Sequence, residues 1–98
     1  MAITAILDLH LRDDAVAGAA ARIDEILATT RGFDGNLGVE VLDDLDDPTH
    51  VTVVEHWESV EHDDAYRAFR ATPAGANDLA ALLAGPPVQW RVTSRSIG

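Results

Sequence analysis

The sequence predicts an α+β domain in which one antiparallel sheet carries helices, in the order β-α-β-β-α-(α)-β. Three observations predict it. Apolar residues alternate with polar ones over 2–11, 37–41, 50–57 and 88–96, the period of a strand. Between the first two of these, Val16, Ala19, Ala20, Ile23, Ile26 and Leu27 recur at helical spacing. After the third comes a segment with an N-cap serine and an acidic first turn, the usual start of a helix.

The first strand, "AITAILDLHL" (2–11), places Leu7, Leu9 and Leu11 on one face and Ile6, Asp8 and His10 on the other. Asp13 or Asp14 is expected to cap the helix that follows. Gly32 is expected to end that helix in the left-handed conformation. "FDGN" (33–36) reads as a turn and Leu37–Val41 as the second strand. The acidic loop "DDLDDPT" (43–49) joins it to a β-branched third strand, His50–Trp57, making a hairpin. Ser59 opens a helix to about Ala71, which Thr72–Pro73 stops because the residue before proline avoids the helical region. "AGANDLAALLAG" (74–85) predicts a further short helix, and "VQWRVTSRS" (88–96) a last strand after Pro86–Pro87. This order is the ferredoxin-like arrangement. Residues 1–98 are read as a single domain.

One consequence follows from pattern. Helices cover only one side of such a sheet, while Ile6 and the valines of the third strand put apolar groups on both. A second copy packed face to face would hide the rest, so a homodimer is expected.

Charge narrows the function classes. Seventeen acidic residues against seven arginines and no lysine give a net charge of −10. Nucleic acid and anionic membranes are excluded as partners, since both need clustered cations. No apolar run reaches the ~20 residues of a membrane helix, and the N-terminus lacks a basic start, so a soluble cytoplasmic protein is expected. Cysteine is absent, which removes disulfides and thiolate ligands. Four histidines at 10, 50, 56 and 62 match no metal spacing, and "DDLDD" (43–47) lacks the spacing of a calcium loop. No metal is expected.

The chemistry concentrates at one corner. His62 and Tyr66 lie four apart on a helix, Arg70 continues the stripe and Phe69 borders it, while Trp57 closes the preceding strand. If that face lines a hollow, His62 is the candidate base, with Trp57, Tyr66, Phe69 and Arg70 as substrate-binding walls. Plain structural readings stand beside these: His62 facing solvent, Tyr66 at the core edge, Trp57 packed beneath the helix, Arg70 in a surface ion pair. Trp90 is expected in the core or a dimer interface. Asp8 needs a partner, with Arg91 or Arg95 available.

The stretch "VTVVEHWESVEHDDAYRAFRATPAG" (51–75) resembles the core motif of the antibiotic biosynthesis monooxygenase family, closest to its quinol monooxygenase branch. There a Trp-Glu-Ser corner is followed by a His, matching His62, and the helix ends at a Thr-Pro, matching Thr72–Pro73. The turn "GFDGNLG" (32–38) matches as well. The resemblance implies a dimeric α/β barrel. It also implies cofactor-free oxidation of a quinol or polycyclic phenol by O₂, with His62 removing the substrate proton. Haem-degrading members carry an Asn on the first strand, a Trp on the second helix and a His ligand near the third; those places hold Leu7 or Asp8, Tyr66 and Ala76, so haem is a minor expectation. The further His of the quinol branch is replaced by Ala74 or Gly75, and the Asn of actinorhodin-type enzymes by Val53. A non-catalytic small-ligand-binding module is the alternative expectation.

Overall fold

A computed structural model describes residues 1–95. Its strands are β1 (Ile3–His10), β2 (Asn36–Asp43), β3 (His50–Trp57) and β4 (Val88–Val92). Its helices are α1 (Val16–Arg31), α2 (Val60–Arg70) and the one-turn α3 (Leu79–Leu82). The strands form one antiparallel sheet in the order β2-β3-β1-β4. The expected ferredoxin-like architecture is therefore present. The final expected strand is shorter than 88–96; Thr93–Arg95 lie beyond it, and residue 96 is outside the described residues.

Side-chain alternation assigns the two faces. Ile3, Ala5, Leu7 and Leu9 of β1 and Val51, Val53 and Trp57 of β3 are buried under the helices. Ala19, Ile23 and Leu27 of α1 pack onto the leucine row. Each buried Val, Leu or Ile among them contributes about 1.5–3 kcal/mol when removed from water. Register carries the other parity across all four strands, aligning Glu40, Val54, Ile6 and Trp90 in one row. That face has no helix over it; Trp90 stays 40% exposed between Val88 and Val92, and Leu42 is exposed on the opposite edge strand.

Several local expectations are corrected. Neither Asp13 nor Asp14 caps α1. A 3-10 turn, Asp13–Ala15, precedes it, and the Asp14 carboxylate is taken by Arg12 at 3.0 Å. Gly32 keeps a right-handed φ of −87°. The turn that needs glycine comes three residues later, at Gly35 with φ +85°. Residues 74–85 form only the single turn of α3, because Gly75 is pressed onto the Phe69 carbonyl and Leu83 pairs with Leu11 at the end of β1. Ser59 does cap α2, its hydroxyl accepting from the His62 amide at 3.2 Å.

Gly35 fixes how α1 hands over to β2. A methyl group there would strike the His62 imidazole, and the left-handed backbone adds strain of order 1–3 kcal/mol. Gly35→Ala is expected to lower the unfolding free energy by about 1–3 kcal/mol in urea denaturation. Adding His62→Ala is expected to restore the part due to the clash; no recovery in the double variant would show that backbone strain alone is at work.

Candidate functional site

The strand-to-helix corner is built from the sequence "HWESVEH". Extended backbone at Ser59 turns β3 into α2, and the Ser59 hydroxyl lies 2.7 Å from Nδ1 of His62 as well as capping its amide. The imidazole rests over Gly35 and is one-third exposed; its Nε2 lies 3.5 Å from Glu58 and 3.8 Å from Asp34. One turn on, Tyr66 is buried against a fully buried Trp57, with ring centroids 5.0 Å apart. Phe33 closes edge-on to both, at 5.2 Å from Tyr66 and 6.2 Å from Trp57, and Phe69 lies 5.4 Å from Phe33.

The Tyr66 hydroxyl is closed on both sides, by Thr30 Oγ1 at 2.5 Å and by Arg70 Nε, which donates at 2.7 Å. Arg70 also donates to the carbonyls of Ile26 at 2.9 Å and Gly75 at 3.1 Å. It is no surface ion-pair partner. It clamps α2 to the C-terminal turns of α1, where a cation suits both the free carbonyls and the helix dipole. The structure thus brings Trp57, Tyr66 and Phe69 together, with Phe33, which sequence reasoning missed. They fill the space where a hollow was expected. His62 and Arg70 sit on its rim.

Beneath α2 lies a buried charge cluster. Glu55 is 2% exposed and occupies a core-facing position of β3 between Val53 and Trp57. Burial pushes its carboxyl up, and the Arg67 guanidinium that bonds it pulls the other way. Trp57 Nε1 donates to the same carboxylate at 3.3 Å, and Arg67 Nε donates to buried Asp63 at 3.0 Å. Arg91 then reaches Asp64 at 2.7 Å, so it is not the partner of Asp8. The signal was present in the sequence: a carboxylate in a core-facing row needs a cation, and Asp63–Arg67 are one helical turn apart.

The open space lies elsewhere. A cavity of about 470 Å³ separates α1 from the hairpin end of β2 and β3. Leu11, Val16, Ala19, Ile23, Val41 and Val51 wall it, and Asp24, Asp43, Asp44 and Asp47 stand at its mouth. It exists because the first turns of α1 read Val-Ala-Gly-Ala-Ala-Ala (16–21), which carry little side-chain volume over β2. Its size falls in the range of small-molecule sites, ~300–1,000 Å³. His62 is at the Gly35 end of β2 and the cavity is at the Asp43 end, so none of Trp57, His62, Tyr66, Phe69 or Arg70 lines it. Among the described residues, no group of three or more His, Asp or Glu is placed to hold a metal, and no helix is long and apolar enough to cross a membrane.

The family model described as "Antibiotic biosynthesis monooxygenase" matches residues 2–76. The chain belongs to this family. Structural comparison agrees on the fold. Rv0793 from Mycobacterium tuberculosis superposes with a TM-score of 0.80 at 20% identity, covering 99% of this chain and 98% of that one. An antibiotic biosynthesis monooxygenase crystal structure gives 0.79 at 17% identity, with 96% and 99% covered. A point mutant of SnoaB, a cofactor-independent oxygenase from Streptomyces nogalater, gives 0.78 at 19% identity, with 98% and 95% covered. No curated protein matches by sequence.

In this family member the helix-free face of the sheet carries a polar network that sequence reasoning only glimpsed. Asp8 accepts from Thr52 and pairs with His50 Nε2, both at 2.8 Å, while His50 Nδ1 meets Asp44 at 2.8 Å and His10 stacks on the ring at 4.9 Å. At the other end of the face, His56 bridges Thr4 at 3.1 Å and Glu40 at 3.0 Å. Bonds to Asp44 and Asp8 hold the His50 imidazolium pKa above its usual value, and bonds from His50 and Thr52 hold Asp8 below its own. The His50 contribution is therefore complete below about pH 6.5 and fades as pH rises through the raised value; that of Asp8 is complete above about pH 4 and fades on acidification. The stability difference between wild type and His50→Gln is expected to be larger at about pH 5.5 than at about pH 8.5. Thermal melts at both values check this, and a pH-independent difference would contradict it.

Proposed function

We propose that the chain is a cofactor-independent oxygenase acting on a small electron-rich aromatic, a quinol or polycyclic phenol, bound in the cavity between α1 and the sheet. The observation that carries this reading is that cavity, ligand-sized and aliphatic-walled, in a chain of the monooxygenase family. An ionised quinol gives an electron to O₂ without flavin or metal, so the protein's tasks are to hold the ring, admit O₂ and exclude bulk water. Leu11, Val16, Ile23, Val41 and Val51 suit the first, and the open mouth admits O₂. The expected base, His62, is retained in the proposal only for a substrate lying against the N-terminus of α2, where Ser59 orients its ring and Glu58 and Asp34 lie beside its Nε2. For a substrate in the cavity, the proton leaves through the open mouth.

A second reading, binding without turnover, is favoured by the distance between the imidazole and the cavity. Oxygen uptake with a panel of quinols and anthrones separates the two. Uptake is expected in wild type, abolished by Ala20→Leu, which adds bulk at an exposed position of the cavity wall. His62→Ala is expected to change the rate less than about threefold. A loss of about 10²-fold or more, the scale of a missing general base, would move the reaction to the α2 corner. No uptake with any member of the panel would favour the binding module.

The same proposal includes a homodimer, formed by packing the helix-free faces of two sheets. Its support is the apolar row Val54–Ile6–Trp90 with Leu42, Val88 and Val92 around it, left without a covering layer. Sedimentation is expected to give a dimer for wild type and a folded monomer for Trp90→Glu. A wild-type monomer at about 50 μM would refute the pairing, since a specific interface of this kind should hold at that concentration.

A further inference from the structure

We infer that the cavity between α1 and the sheet takes a ligand with a protonated amine on an apolar body. This deepens the proposed use of the cavity and rests on it. The walls ask for hydrocarbon or aromatic surface, and the mouth decides the charge. The titratable residues lining the cavity are Asp24, Asp43, Asp47 and a bonded pair, Asp44 and His50. Two of the aspartates are already engaged: Asp44 accepts from the Asp46 amide at 2.8 Å and meets His50, and Asp47 accepts from the amide and hydroxyl of Thr49 at 2.9 and 2.6 Å. The carboxylates of Asp24 and Asp43 accept no bond from any described residue. Register places Asp43 opposite Val51, on the helix-covered side of the sheet, so its carboxylate belongs to the cavity rim.

Only Asp44 has a protein cation beside it, His50 when protonated; no described arginine or histidine bonds Asp24, Asp43 or Asp47. The His50 imidazole turns to the other face, held between Asp8 and Asp44. Arg22 is taken by Glu25 and Asp78, and Arg12 by Asp14. The chain has no lysine and carries a net charge of −10. Low-dielectric walls focus that field into the cavity. An anionic ligand is repelled, and a neutral one leaves the rim to water. An ammonium at the mouth makes charge-assisted bonds to Asp24 and Asp43 while its apolar part fills the interior.

The test uses three probes with one ring system: 2-naphthylmethylamine, 2-naphthylmethanol and 2-naphthoate, titrated calorimetrically at neutral pH. The amine is expected to bind about tenfold or more tighter than the alcohol, and the naphthoate not measurably. Raising salt from about 20 to about 200 mM should weaken the amine alone. In Asp24→Asn/Asp43→Asn, two exposed changes that leave the core untouched, the preference should collapse towards unity with the alcohol unaltered. Ala20→Leu should block both. Equal binding of amine, alcohol and naphthoate would overturn the charge inference and leave the cavity as an apolar site. Amine binding that survives Ala20→Leu would place it on the acidic surface and overturn the inference. Failure of every probe would overturn the cavity reading as well.

Discussion

The alternation of side chains along β1 and β3 is the constraint on which the rest depends. Their pairing, Leu7 with Val53 and Leu9 with Val51, joins two apolar rows into the floor that α1 and α2 cover. A slip of one residue would exchange that floor for Asp8, Thr52 and the histidines. The same register lines up Ile6, Val54 and Trp90 on the far side. Floor, helix positions and bare face are therefore one decision, made by spacing in two strands.

Position along the chain was legible; depth was not. The strands, α1, the Ser59 cap and the Trp57 corner could all be read, because period and capping chemistry are local properties. That Leu7, Leu9 and Leu11 are core followed from the same pattern. The roles of Tyr66 and Arg70 were not accessible this way. Spacing places both on one face of α2, but only the partner helix shows that Thr30, Ile26 and Gly75 close over them. The cavity left a fainter trace. Val16, Ala19 and Ala20 belong to the apolar stripe of α1, and the small volume of residues 17–21 becomes meaningful only once β2 lies opposite. Asp13 and Asp14 misled for the opposite reason: a residue type that caps helices was present, but Arg12 and a 3-10 turn took the local geometry.

The structure handles acidic residues in two distinct ways. Under α2, Glu55 and Asp63 are desolvated and held by Arg67, so each side chain of that cluster needs the others. Removing the guanidinium alone would strand buried carboxylates, the costly way to break such a cluster. On the helix-free face, Asp8 and Asp44 remain near water and are matched by His50, whose charge depends on pH, while Glu40 is bonded to His56. Two of the seven arginines, Arg67 and Arg70, thus go to half-buried structural work at α2, and exposed Arg91 is tied to Asp64 on the same helix. Of the others, Arg12 and Arg22 are bonded to Asp14, Glu25 and Asp78, so neither reaches the carboxylates of Asp24 and Asp43 beside the cavity.

The field at the cavity mouth bears on the proposed chemistry in a particular order. A negative potential opposes ionisation of a phenol, because the proton must leave a more anionic site. The following step is different. An electron passing from ring to O₂ within one cavity leaves the total charge there unchanged, so a uniform potential has little effect on it. The acidic mouth is therefore a penalty on deprotonation alone. A fixed ammonium on the substrate cancels the penalty where it arises, since the cation sits between the carboxylates and the ring. With His62 away from the cavity and His50, which lines it, already bonded to Asp8 and Asp44, this compensation would have to come from the substrate, so the charge of the ligand and the engagement of that imidazole are two aspects of one electrostatic arrangement.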